Sequence, residues 1–140
     1  MNVLKAAANP AASAGRDAYP VTFKTENSSR VLSGQNGAWI VQLRKGTDFT
    51  VELPENSGST GLRWNLAQED LYNGDGDVKL VEDSTVPGDA SRPGNGGTRR
   101  FRFDSADDAD GMVRLRFELT RPWNEGTSPA ATRQITLMFV

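Results

Sequence analysis

Two residue types are missing altogether: the 140 residues contain neither cysteine nor histidine. Without cysteine there is no disulfide, no thiolate nucleophile and no sulfur-ligated zinc. Without histidine the Ser-His and Cys-His arrangements are excluded, and with them the commonest general base and the favoured imidazole metal ligand. Catalysis would have to run on carboxylates, lysine, tyrosine or a cofactor. No acid pair is placed for such work, so the expectation is a protein without catalytic residues, cofactor or metal.

Net charge is small and long apolar runs are absent. A formal net charge of −2 leaves no basic footprint, which argues against nucleic acid as a partner. No apolar run is long enough to cross a bilayer. The first ten residues, Met1 to Pro10, lack the apolar stretch of a secretory signal. A cytosolic protein is therefore the default expectation, or a secreted one whose leader has been removed. The 36% of hydrophobic residues suffices for one core and leaves long polar loops.

Two units are expected along the chain. Residues 1–37 read as an N-terminal extension, disordered in part. Tyr19 to Lys24 could form a short strand, which Pro20 would confine to an edge. Glu26 to Gly37 reads as a polar connection, and its Asn27-Ser28-Ser29 as surface loop rather than glycosylation site. Residues 38–140 carry the strand signals. Ala38 to Leu43 is apolar enough for a buried strand, and Asp48 to Leu53 alternates through Phe49, Val51 and Leu53. Leu62 to Leu66, Val78 to Val86 and Thr98 to Phe103 follow. Met112 to Leu119 sets Val113, Leu115, Phe117 and Leu119 against outward Arg114, Arg116 and Glu118. Arg133 to Val140 places Ile135, Leu137 and Phe139 on one face. Gly, Pro, Asn and Asp punctuate these runs. Only Asn65 to Tyr72 has a helical flavour, and it is too short for a core helix. The fold class is all-β, an immunoglobulin-like sandwich of about seven strands without a disulfide.

Three segments stand out between the strands. Ser57-Gly58-Ser59-Thr60-Gly61 is small, polar and thin, and by itself reads as an ordinary connection. Gly94-Asn95-Gly96-Gly97 allows a backbone to lie flat on a partner, although a lone glycine-rich tetrapeptide is by default a turn. It is no phosphate loop, since no Gly-Lys-Ser/Thr follows. Arg121-Pro122-Trp123 places a tryptophan at a strand end behind a stiffening proline. An isolated tryptophan there would fold back on the core, yet Arg and Trp are also the residues enriched in interface hot spots. Trp64, by contrast, shares a face with Leu62 and Leu66 and reads as core. Asn73 to Asp77 begins like a calcium loop, but Val78 stands where a glycine is required and Ser84 where a bidentate glutamate belongs. It and the four aspartates between Asp104 and Asp110 read as solvated turns.

Taken in this order, each beside a strand, the three segments resemble the binding loops of chagasin-type inhibitors of papain-like cysteine proteases. The resemblance covers roughly the last hundred residues, about one sandwich. Counting back from Trp64, Thr60 and Gly61 match the end of the family's Asn-Pro-Thr-Thr-Gly motif, and Ser59 stands for its first threonine. Gly58 replaces the proline, which raises the ordering cost of the loop by up to about 1 kcal/mol. Gly94 to Gly97 matches a Gly-x-Gly-Gly before a strand, and Leu119-Thr120-Arg121-Pro122-Trp123 matches closely. The resemblance implies a reversible, tight-binding inhibitor that plugs the protease cleft with three loops and acts as a monomer. Thr60 would lie in the middle, flanked by the other two. A chain without cysteine offers no sulfur for a mixed disulfide with the target's thiol. The alternative is a non-catalytic immunoglobulin-like binding or adhesion module, which would leave proteolysis untouched.

Overall fold

Period-two alternation puts every second side chain on one face of a strand. The computed structural model describes residues 19–55, 61–67, 78–86, 97–109, 111–121 and 128–140. Among them nine strands form: β1 Val21–Thr25, β2 Ser28–Leu32, β3 Ala38–Leu43, β4 Phe49–Glu55, β5 Arg63–Leu66, β6 Val78–Val86, β7 Gly97–Ser105, β8 Met112–Thr120 and β9 Ala131–Phe139. The seven strands expected after residue 37 are all present, to within two residues at either end. Asn65 and Leu66 lie in β5, and the rest of the faintly helical run beyond Ala67 falls outside the described residues.

Two sheets face each other. One has five antiparallel strands in the order β2-β1-β4-β7-β6. The other has the order β3-β9-β8-β5, with β3 parallel to β9 and the remaining pairs antiparallel. This is the immunoglobulin-like sandwich that the alternation implied. The inward residues are those that alternation selected: Phe49, Val51 and Leu53 of β4 and Val113, Leu115, Phe117 and Leu119 of β8 are all buried in one core, where Phe101 of β7 meets Phe117 at 5.0 Å. Phe23, Phe49 and Phe103 stack in series, with centroids 5.3 and 4.9 Å apart. Each buried large side chain contributes about 1.5–3 kcal/mol, which a domain without disulfides depends on.

Three expectations are corrected. Residues 19–37 do not stand apart from the sandwich: β1 lies inside the five-stranded sheet, between β2 and β4, with Val21 and Phe23 buried in the core. Pro20 does not force an edge position because it precedes the strand, where its missing N–H leaves no ladder bond unmade. The polar connection contains a strand, β2, which the pattern hid because its burial is low throughout; it is an outer strand. Finally, β3 is not buried on both faces. It lies at an edge, alternates in burial, and leaves Ile40 68% exposed.

One polar network crosses the outer face of the larger sheet. Glu52 of β4 meets Lys24 of β1 at 3.0 Å and Arg100 of β7 at 3.0 Å. Burial pushes the Glu52 carboxyl up, but hydrogen bonds and charge from Lys24 and Arg100 outweigh it, and the carboxyl ends below its ordinary value.

Candidate functional site

Strand register decides which connections share a pole. In the five-stranded sheet Glu55, the last residue of β4, pairs with Gly97, the first of β7, and Val86, the last of β6, pairs with Thr98. In the four-stranded sheet Arg63, the first residue of β5, pairs with Thr120, the last of β8, while Leu119 pairs with Ala131, the first of β9. Ala130 N–H also donates to the Leu119 carbonyl at 2.8 Å, closing the connection after β8 at its base.

The two sheets are joined at this same end. The Trp64 backbone N–H donates to Oε2 of Glu55 at 2.9 Å, and the Trp64 indole Nε1 donates to the Pro54 carbonyl at 2.8 Å. Going round the pole, the order is therefore the β6–β7 connection, the β4–β5 connection and the β8–β9 connection. Paired strands lie about 4.8 Å apart, so the bases of the three connections sit side by side on one rim.

Beneath the rim lies a plug of aromatic and cationic groups. Trp64 is fully buried, and Tyr19 meets it edge-on at 5.8 Å. Arg133 of β9 is also buried. Its Nε donates to the Tyr19 carbonyl at 3.1 Å, and its guanidinium lies 5.9 Å from the Tyr19 ring and 6.0 Å from that of Trp64. Gly37 passes so close that a Cβ there would stand 2.9 Å from the Thr132 carbonyl oxygen and 3.2 Å from Arg133, and its φ is +77°.

A sequence model described as the chagasin family peptidase inhibitor I42 matches residues 42–137, more than half the chain. The chain belongs to the chagasin family. That match runs from β3 into β9 and spans all three segments. Among solved structures, the fold resembles the cysteine protease inhibitor EhICP2 from Entamoeba histolytica, with a TM-score of 0.58 and 16% identity over 76% of this chain and 90% of that one. The N-terminal domain of PorA matches at a TM-score of 0.39 and 10% identity, over 85% of this chain and 96% of that one. A search of curated proteins finds no match.

In this chagasin-family chain, three of the residues expected to bind lie within the described part. Gly61 precedes β5 with a φ of +75°, a conformation that favours glycine. Gly97 opens β7 opposite Glu55, and Arg121 follows β8, exposed. Ser57, Gly58, Ser59, Thr60, Gly94, Asn95, Gly96, Pro122 and Trp123 lie outside the described residues, as do Asn73 to Asp77 and Asp110. No group of three or more potential metal-ligating side chains occurs among the described residues.

Two residues of the pole escaped the sequence reading although the signal was there. Extending the inward register Phe49, Val51, Leu53 by two lands on Glu55, and extending Phe139, Leu137, Ile135 back by two lands on Arg133. Each is a charged side chain on a core-facing position. Such a residue almost always has a buried partner.

Proposed function

We propose that this chain is a reversible, tight-binding inhibitor of papain-like cysteine proteases, entering the active-site cleft with three adjacent loops. Its place in a family of peptidase inhibitors supports inhibition. The three-loop reading rests on one observation: the strand ends bounding all three segments share a rim, with the β4–β5 connection in the middle. The segment around Thr60 would fill the groove, and the segments around Gly96 and Trp123 would grip its walls.

Inhibition without turnover follows if no loop offers a carbonyl in the near-attack position a thiolate needs, about 3–3.5 Å and aligned. The block is then steric and the complex dissociates unchanged. An interface of standard size, about 1,600 Å², on a preformed scaffold reaches nanomolar affinity. The partner is the protease, and the inhibitor acts as a monomer.

Titrating papain with the purified protein tests the reading. Activity should fall to zero near equimolar inhibitor and return on dilution with the inhibitor intact. Trp123→Ala should weaken binding by about 2–4 kcal/mol while the domain stays folded. Undiminished papain turnover in excess protein would overturn the proposal.

A further inference from the structure

Glu55 ends a strand of one sheet, yet its side chain serves the other. Among the described residues, strand β5 is the last strand of its sheet and pairs with β8 alone. The Ala67 N–H donates to the Arg116 carbonyl of β8 at 2.9 Å. Alternate N–H groups of a strand point to opposite sides, so the Trp64 N–H, an odd number of residues away, points to the open edge. The acceptor it finds there is the Glu55 carboxylate, 2.9 Å away and almost wholly buried. A side chain thus supplies the acceptor that a neighbouring strand supplies inside a sheet. The indole Nε1 of the same Trp64 holds the Pro54 carbonyl, so two consecutive residues on one side of the β4–β5 connection are tied to a single residue on the other.

We infer that Glu55 is a positioning residue for inhibition: its carboxylate clasps the two ends of the central loop across the gap between the sheets and holds that loop in its binding shape. The inference rests on the functional reading above. Among the described residues β4 and β5 belong to different sheets and do not pair through their backbones. Position 58 carries glycine where the family's motif has proline, so the restraint a proline adds is not supplied by the sequence there. A loop that occupies its competent shape only part of the time binds more weakly by that fraction. It also presents its peptide bonds in more orientations, some of them open to attack by the thiolate it should block.

The test compares Glu55→Ala, Glu55→Asp and Glu55→Gln against papain, well below the melting temperature of each variant. E55A removes the acceptor, and E55D keeps the charge one methylene short of the Trp64 N–H. Both should raise the inhibition constant about tenfold or more, mainly by slower association, and papain should nick both between residues 55 and 63. E55Q retains a carbonyl oxygen at the right length and should restore most of the inhibition with no nicking. The Trp64 amide, read by hydrogen exchange without any protease, should exchange faster in E55A and E55D than in the parent. If the parent does not inhibit papain, the functional reading fails, and the clasp is judged on amide exchange alone. Equal inhibition constants in parent and E55D, or an unchanged Trp64 exchange rate, would overturn the inference; a poorly folded E55A leaves E55D and E55Q to decide it.

Discussion

At the scale of single residues, one tight constraint lies where the backbone passes close to a carbonyl and a buried charge. Gly37 combines a left-handed φ of +77° with an approach to Thr132 and Arg133 that leaves no room for a methyl group. Gly37→Ala should therefore destabilise the domain by about 1–3 kcal/mol, measured as a lower urea midpoint with an unchanged slope. The same substitution at Gly34, where a Cβ would meet nothing, adds no clash and should cost less. Burial was legible where apolar side chains alternate along a regular strand. Trp64 read as core from its neighbours Leu62 and Leu66, and it is fully buried. Gly37 was not legible, because its constraint comes from Arg133, almost a hundred residues away in sequence.

At the scale of elements, long alternating strands declared themselves and short polar ones did not. Strands β8 and β9 carry four inward side chains each against mostly polar neighbours, a signal that survives without any tertiary context. Strand β2 buries almost nothing, so its existence depends on backbone pairing with β1, which leaves no mark on composition. That hairpin is nonetheless part of the sandwich. Phe23→Ala should cost about 3–5 kcal/mol in chemical denaturation, a loss that an appended tail would not produce. The bridge joining β1, β4 and β7 through Glu52 makes a second prediction. A carboxyl held below its ordinary value of 4.5 adds stability above that pH and loses it as pH falls through the depressed value. Glu52→Gln should thus lower the melting temperature at neutral pH, and the gap to the parent should close on acidification.

At the scale of the whole molecule, the rim is a product of topology rather than of any one segment. Taken alone, the segments before β5 and β7 read as ordinary connections and Trp123 as a residue folding back on the core. Their common pole follows from antiparallel pairing, which returns alternate connections to the same end, and from the contacts of Trp64 that join the sheets there. What the pattern of residues could not supply was the closure between sheets, since it depends on Glu55 reaching a strand it does not pair with. Stability owes nothing to sulfur bridges, as the chain has no cysteine. Its melting temperature should be the same with and without a reducing agent, in scans at equal pH and salt.

The directions of the first and last described strands give the molecule two unequal handles. Tyr19, just ahead of β1, packs on Trp64 at the rim, whereas β9 begins at the rim and runs nine residues away from it to Phe139. At about 3.3 Å per residue, a group attached beyond Phe139 lies roughly 30 Å from the rim, while one attached at Tyr19 crowds it. Anchoring the protein to a bead or sensor chip through the far end of β9 would leave the rim facing the solution.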